Sequence, residues 1–254
     1  MASIRRFLTW RTACLVFGGN LLALWGLSLP FGAVRAADTP SLKELADRIR
    51  DLEAKLACMS KEGDAVLFDG CNVYIRSGSG QTEGAVNGLG NLIIGYNEAS
   101  GDNIQRTGSH NLVIGPDHAY ASFGGLVAGR ENTLAAPYAS ITGGRLNTVN
   151  APVASVHGGS ANVASKELAV VMGGRSNRAQ GLAATISGGT NNLAEGDFAS
   201  VSGGTENMAS GFAASVSGGT NNSASGNNAS ISGGRRRTAP GQDNWRAGNI
   251  AETN

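Results

Sequence analysis

The sequence predicts an all-β solenoid, a parallel β-roll in which short coils of chain stack on one another, preceded by one short helix. The first observation is a repeat of 15 residues that runs from residue 126 to residue 234. The second is a heptad-like apolar pattern between residues 37 and 60. The third is the glycine content. Glycine makes up 38 of 254 residues without a Gly-X-Y period, which excludes collagen.

Each repeat holds an asparagine at a fixed position. Counted from it, position two is small or aliphatic, position seven alanine, position nine β-branched, and positions eleven and twelve glycine. The asparagines are Asn132, Asn147, Asn162, Asn177, Asn192, Asn207 and Asn222. Because alternate residues of a strand point to opposite sides, we expect these small, apolar and amide side chains inside and serine and threonine outside. We also expect the asparagines to hydrogen-bond side chain to side chain, as an amide ladder.

The predicted core is thin, because each repeat contributes one β-branched residue and otherwise only small or amide side chains. Ordering a 15-residue rung costs more conformational entropy than the burial of so few apolar atoms returns. Hydrogen bonds between rungs and partner chains must supply the difference. The predicted organisation is a signal peptide over 1–36, a coiled-coil helix over 37–60, irregular β-rungs over 61–125, the regular β-roll over 126–234 and a polar cap or tail over 235–254.

Residues 1–36 have the layout of a secretory signal peptide. Three arginines precede an apolar run over residues 13–34, and Val34 and Ala36 occupy the −3 and −1 positions of a cleavage site before Ala37. The alternative is an uncleaved membrane anchor, since the run is long enough to span a bilayer. With cleavage, the mature chain has no stable membrane span. We then expect it to be secreted or associated with the cell surface or outer membrane.

Charge argues against nucleic acid as a partner. Removing the four arginines of residues 1–36 from the 20 basic residues leaves 16 against 19 acidic residues, so the remainder carries a net charge of −3. Nucleic-acid binding requires a concentrated basic face.

A coiled coil is predicted directly after the signal peptide, as a helix from Ser41 to Met59. Its apolar residues follow a 3,4 spacing and form one stripe. A helix of this length with a single stripe needs partners. The alternative is a helix that packs on its own domain. The segment Arg48–Glu53 resembles the motif of trimeric coiled coils in which an arginine reaches a glutamate of the neighbouring chain. The predicted trimerisation residues are Leu42, Leu45, Arg48, Ile49, Leu52, Glu53 and Leu56.

Two cysteines remain in the predicted mature chain, Cys58 and Cys71. In an exported protein such a pair indicates a disulfide rather than a metal site. An interchain bond and two free thiols are the alternatives. After the cysteines we expect strands over residues 65–68 and 71–75. The segments Asn91–Gly95 and Asn111–Gly115 repeat one motif in the irregular region.

The repeats resemble the YadA-like head domains of trimeric autotransporter adhesins, on the elements Ser200-Val-Ser-Gly-Gly and Asn207-Met-Ala-Ser-Gly and on Asn91-Leu-Ile-Ile-Gly. The resemblance covers residues 85–234. It implies a left-handed β-roll assembled as a homotrimer that binds extracellular proteins, glycans or other surfaces. In two respects the chain departs from the family. Its coiled coil precedes the head, and its C-terminus lacks the alternating apolar strands of a barrel anchor.

The sequence contains no set of residues that indicates catalysis, a cofactor or a metal, so we expect a non-enzymatic protein. His118 follows Asp117 in what reads as a loop, and His157 stands at an outward position. An enzyme built on a solenoid would place carboxylates on one face, and none stack here. A second function to weigh is binding to ice or carbohydrate through rows of hydroxyl groups. Those rows are formed by Thr185, Ser187, Ser200, Ser202, Ser215, Ser217, Ser230 and Ser232.

Overall fold

The computed structural model describes residues 40–101, 104–248 and 250–252. The predicted signal peptide and the first residues of the predicted helical segment, up to residue 39, lie outside these described residues. The chain divides into two compact units, the first ending at Cys71 and the second beginning at Asn72.

The first unit opens with its only described helix, α1, which spans Leu42–Lys55. The Ser41 hydroxyl accepts a hydrogen bond from the backbone N–H of Glu44 (3.2 Å) and so satisfies one of the free donors at the helix N-terminus. The prediction that the helix reaches Met59 is wrong. The helix ends sooner because strand pairing begins after it, and Met59 is the first residue of the first strand.

A β-hairpin follows the helix. Strands β1 (Met59–Glu62) and β2 (Ala65–Phe68) pair antiparallel, with Glu62 opposite Ala65. The loop between them has two residues, and its first residue, Gly63, has a φ of 56°. A positive φ at this position matches the turn to the twist of the two strands. The strand predicted over residues 71–75 is absent from the structure, where this segment has no regular secondary structure.

The second unit is a parallel β-solenoid with a 15-residue spacing, as predicted. One sheet contains β3 (Leu92–Ile94), β4 (Leu112–Ile114), β6 (Leu126–Ala128), β8 (Ser140–Ile141), β10 (Ser155–Val156), β12 (Val170–Val171), β14 (Thr185–Ile186), β16 (Ser200–Val201), β18 (Ser215–Val216), β20 (Ser230–Gly233), β22 (Trp245–Ala247) and β23 (Ile250–Glu252). The other contains β5 (Ala119–Tyr120), β7 (Thr133–Leu134), β9 (Thr148–Val149), β11 (Val163–Ala164), β13 (Arg178–Ala179), β15 (Leu193–Ala194), β17 (Met208–Ala209), β19 (Ser223–Ala224) and β21 (Thr238–Ala239).

Equivalent residues of successive rungs stand opposite each other in both sheets. In the first sheet Val201 pairs with Val216, and in the second Ala194 pairs with Ala209. Both sheets point these residues inward, so the core is a stack of alanine, β-branched and asparagine side chains with almost no exposed surface. The residues between them, such as Ser200 and Ser202, lie at the outside.

Each rung closes through two turns that use left-handed backbone. In one turn the residue at position six after the asparagine has a positive φ, as at Tyr138 (56°). In the other turn the residue at position fourteen does, as at Leu146 (57°). Non-glycine residues in this region carry a conformational cost of about 1–2 kcal/mol. The second glycine of the pair is required for a different reason. At Gly144 a Cβ would overlap the carbonyl oxygen of Gly159 in the next rung.

The C-terminal segment continues the backbone of the solenoid past the last asparagine. Strand β21 pairs parallel with β19, β22 pairs parallel with β20, and β23 then pairs antiparallel with β22. Arg237, which stands where the next asparagine would fall, ends the row of asparagine side chains but not the backbone ladder.

Candidate functional site

The repeated feature with the most specific chemistry is the row of asparagines inside the solenoid. Asn177 shows the arrangement. Its Oδ1 accepts a hydrogen bond from the backbone N–H of Asn192 in the next rung (3.0 Å). Its Nδ2 donates to the carbonyl oxygens of Gly173 (2.9 Å) and Gly189 (3.0 Å). All seven asparagines of the repeat are buried, so these bonds are shielded from water.

The predicted ladder of side chains bonded to side chains is therefore wrong for the regular rungs, because the partners are backbone groups. The reason lies in the turn that precedes each asparagine. The N–H groups of Asn191 and Leu193 donate to backbone carbonyls of neighbouring rungs, but the N–H between them, on Asn192, meets the side chain of Asn177 instead. Each amide thus fills the gap in the backbone ladder of the next rung. A buried N–H without a partner would cost about 1–3 kcal/mol.

His118 takes the place of an asparagine in the first full rung. Its Nδ1 accepts a hydrogen bond from the N–H of Asn132 (3.2 Å), and its Nε2 lies 3.0 Å from the carbonyl oxygen of Ile114. These are the two roles of the asparagine side chain, so the ring is neutral with its proton on Nε2. Burial lowers the pKa of His118. His118 lies in the loop between β4 and β5, as predicted, but its side chain is fully buried and has a structural role that the sequence did not indicate.

A separate, shorter row of asparagines precedes the first strands of the longer sheet, and the main row, which starts at His118, ends at Asn222. Asn91 and Asn111 stand before strands β3 and β4, at the position where regular rungs have alanine. Asn91 Oδ1 accepts from the N–H of Asn111 (2.9 Å), and Asn111 Oδ1 accepts from the N–H of Gly125 (2.9 Å). At the other end, Asn222 Oδ1 accepts from the N–H of Arg237 (2.9 Å). Sequence reasoning identified the motif around Asn91 and Asn111 but not this role.

The predicted trimerisation residues lie together along α1 and the residue that follows it. Leu42, Leu45, Arg48, Ile49, Leu52, Glu53 and Leu56 are all exposed, and no residue of α1 is buried. The ion pairs along the helix are Arg50–Asp47 (3.3 Å) and Lys55–Asp51 (2.6 Å). In the described part of the chain neither Arg48 nor Glu53 forms an ion pair.

Cys58 and Cys71 form a disulfide, with a Cα–Cα separation of 6.1 Å. The bond closes the β1–β2 hairpin, since Cys58 immediately precedes β1 and Cys71 follows β2. The backbone N–H of Asp69 also donates to the carbonyl oxygen of Cys58 (2.9 Å). The two cysteines are thereby held within the first unit and joined in one chain.

The outer face of the longer sheet presents regular rows of hydroxyl groups. In each of the last regular rungs, the first serine or threonine is half-buried and the second is exposed. Ser200 Oγ donates to Ser215 Oγ of the next rung (3.2 Å). Rungs stack at about 4.8 Å, so the hydroxyl groups repeat at that spacing along the sheet.

Ionisable groups in the described residues do not converge on a reaction centre. No cluster of three or more metal-ligating side chains occurs among them. Asp117 accepts from the backbone N–H of Ser100 (2.7 Å), and hydrogen bonding with the side chain and then the backbone of Ser100 lowers the pKa of the Asp117 carboxyl group. His157 is exposed, as predicted. A cavity of about 430 Å³ between residues 74–82 and His110 has no carboxylate among its described lining residues.

Among the described residues, none of the helical structure has the length and hydrophobicity that crossing a bilayer demands. No protein-family model matches the chain, and no curated protein matches it. The fold that the residues themselves establish is a parallel β-solenoid of 15-residue rungs, with a short exposed helix before it.

Proposed function

We propose that this chain is an exported, non-enzymatic surface protein that works as a homotrimer, in which the solenoid presents its outer faces to extracellular proteins or glycans. The proposal includes membership of the YadA-like head family of trimeric autotransporter adhesins. The repeat elements around Ser200 and Asn207 support it. Cleavage of the signal peptide and retention at the cell surface belong to the same proposal.

The observation that carries the trimer is the exposed apolar seam of α1. Leu42 is 87% exposed, and Ile49 and Leu52 are each 55% exposed. Such side chains gain about 1.5–3 kcal/mol each when fully buried. A single helix of 14 residues is marginal in water. Because none of the described residues of this chain buries the apolar seam, copies of the helix are its proposed partners.

Charge placement along the helix supports the same assembly. With Ile49 at an a position and Leu52 at a d position, Arg48 falls at g and Glu53 at the following e. Side chains at g and e form salt bridges between the helices of a coiled coil. Arg48 and Glu53, which form no ion pair within the described chain, are placed for an interchain bridge.

Apolar side chains are also exposed on the first strand of the solenoid. Ile93 is 38% exposed, whereas Val113 and Val127, at the same position in the next two rungs, are fully buried. Leu92, Ile94 and Tyr96 are exposed as well. Terminal repeats of a solenoid require a cap, and neighbouring chains in the trimer are the proposed cap here.

Light scattering on residues 37–254 tests the trimer. We expect a mass three times that of one chain. The Ile49→Glu variant puts a charge in the seam and is expected to give monomers. Ala54→Glu is the matched control, because it adds the same charge at an exposed f position on the opposite face. A wild-type fragment that is monomeric at every concentration would refute the trimer.

Binding to immobilised matrix proteins and to glycan arrays tests the surface function. We expect saturable binding by the trimer that the Ile49→Glu monomer loses, because three copies raise the effective affinity of weak contacts. Equal binding by monomer and trimer would show that trimerisation is not needed for recognition.

A second candidate is binding to ice or to a crystalline carbohydrate. The observation that favours it is the regular array of hydroxyl groups around Ser200, Ser202, Ser215 and Ser217. Thermal hysteresis of the purified chain measures ice binding directly. A freezing point equal to the melting point eliminates this candidate and leaves the first one standing.

A further inference from the structure

One corner of the solenoid carries a continuous row of large apolar side chains. Each of six successive rungs places one of them at position five or six after its asparagine, in the turn that leads back to the longer sheet. We call this row the apolar ridge. It consists of Tyr138, Val153, Leu168, Leu182, Phe198 and Phe212.

The ridge faces outward along its length. Tyr138, Val153, Leu168, Phe198 and Phe212 are each 44–52% exposed, and Leu182 is half-buried. Aromatic rings meet along it, with Phe198 and Phe212 5.5 Å apart in an edge-to-face arrangement. The row ends sharply, because the next rung has Asn227 and Asn228 in the same turn.

We propose that the apolar ridge is the surface through which the solenoids of two or more copies of this chain pack against one another. This inference rests on the proposed homotrimer and names its solenoid interface. Each ridge then buries its exposed rings and aliphatic side chains against the ridges of the neighbouring copies.

Size supports an interface at this corner. A half-exposed aromatic side chain leaves about 100 Å² in water, so the six residues present an apolar patch on the order of 400–500 Å². A patch of this size lies within the range of the largest apolar patch on a typical soluble monomer, about 300–600 Å², and such largest patches are often functional. A stable interface buries about 800 Å² per partner, so the ridge supplies about half of one.

The spacing of the ridge identifies the partner as a second copy. Its side chains repeat at the rise of one rung, about 4.8 Å. A partner that matches all six must carry the same period, and a second copy of this chain does. In copies joined by a parallel coiled coil of α1, the solenoid begins at the same residue of each chain. Equivalent rungs would then lie side by side, and each ridge would meet the same ridge of a neighbouring copy.

A second corner provides the comparison. Position fourteen of each rung is also a left-handed turn residue, and it holds Leu146, Ala161, Ser176, Asn191 and Glu206 in successive rungs. Only Leu146 among these is large and apolar, with 47% of its surface exposed. Apolar residues therefore accumulate in one of the two turns although both have the same backbone conformation.

Cysteine cross-linking of residues 37–254, which leave out Cys14, tests the inference. Phe198→Cys places a thiol on the ridge. Leu146→Cys places one at the other corner, with a similar exposure (47% against 52%) and the same left-handed backbone conformation. The native Cys58–Cys71 pair is already oxidised. With a short bismaleimide, which joins two thiols, we expect covalent dimers from the Phe198→Cys chain at least about tenfold faster than from the Leu146→Cys chain.

A double substitution measures what the ridge contributes. Phe198→Asn with Phe212→Asn reproduces the Asn228 and Asn227 of a later rung, so the fold tolerates both changes. We expect the urea concentration that dissociates the trimer to fall by at least about 1 M. The control Leu146→Asn, which reproduces Asn191, is expected to leave it unchanged.

The outcomes separate this inference from the proposed function. A trimer in which the two cysteine variants cross-link equally, and in which the double asparagine variant dissociates like the control, refutes the ridge interface and leaves the trimer intact. A chain that is monomeric by light scattering refutes both. Selective cross-linking at residue 198 together with the urea shift supports the ridge.

Discussion

Replacing Asn177 by alanine removes three hydrogen bonds from the interior of the solenoid in one step. The Asn192 N–H loses its acceptor, and the Gly173 carbonyl loses the amide that donates to it. The Gly189 carbonyl is affected less, because the backbone N–H of Arg175 still donates to it (2.9 Å).

The magnitude follows from these partners. A buried N–H left without an acceptor costs about 1–3 kcal/mol. The Gly173 carbonyl and the space left by the shortened side chain add about 1–2 kcal/mol more. We therefore expect Asn177→Ala to lower the free energy of unfolding by about 2–5 kcal/mol. This is a large share of the 5–15 kcal/mol typical of a folded domain.

Urea unfolding followed by circular dichroism measures this change, and amide exchange at Asn192 locates it. Ser187→Ala is the control, since it shortens an exposed side chain in the same repeat. Asn177→His is expected to recover much of the loss, because His118 fills the same role in the first rung. A loss for Asn177→Ala of less than about 1 kcal/mol, or one no larger than that of Ser187→Ala, would refute the reasoning.

Three further predictions concern other parts of the chain. Burial lowers the pKa of His118 from its usual 6.5, so the unfolded chain takes up the proton first and stability is lost as the pH falls below 6.5. The urea concentration at the unfolding midpoint should therefore be lower at pH 5.5 than at pH 7.5, and His118→Asn should abolish this difference. Ala161→Gly should stabilise the fold by about 0.5–1 kcal/mol, because φ is positive at this residue. Gly159→Ala should destabilise the fold strongly, because the added Cβ would overlap the next rung. Thermal melts in which Gly159→Ala is the more stable of the two variants would contradict this account. Replacing Cys58 and Cys71 together by serine should cost about 3 kcal/mol by the loop-closure model, measured as the midpoint of urea unfolding, and an unchanged midpoint would show that the disulfide adds nothing to the stability of the hairpin.

The period of the solenoid was readable from the sequence because stacked rungs impose the same requirement on every copy. Asn177, Ala184 and Ile186 meet the same neighbours as their equivalents one rung away, so substitution at these positions is uniformly restricted. The exposed serines between them follow the same alternation. For this reason the parallel register of both sheets could be predicted before any coordinates.

The spacing of apolar residues predicted the wrong secondary structure where pairing with a distant residue decides the conformation. Met59 continues the apolar spacing of the helix, yet it pairs with Phe68 in the hairpin. Residues 71–75 alternate like a strand, but no strand pairs with them among the described residues. In both cases the side-chain pattern permits two structures, and backbone pairing selects one.

For His118, too, the sequence offered only a spacing, and the structure showed the role of the side chain. It lies 14 residues before Asn132, close to the repeat, and this spacing was the one signal that it belongs to the row of asparagines. Its chemistry did not point to that role, because a histidine beside an aspartate suggests titration or a loop. The hydrogen bonds to Asn132 and Ile114 identify it as a structural acceptor and donor.

The sequence by itself determined the rung length, the residues that point inward and the thinness of the core, because each depends on a periodicity that one chain contains. Only the tertiary structure decided which groups the asparagine amides bind, where the helix ends and that large apolar side chains line one corner. These properties depend on the direction of a backbone N–H in a left-handed turn and on which residues lie side by side in neighbouring rungs. These properties follow from contacts in three dimensions and not from the spacing of residues along the chain.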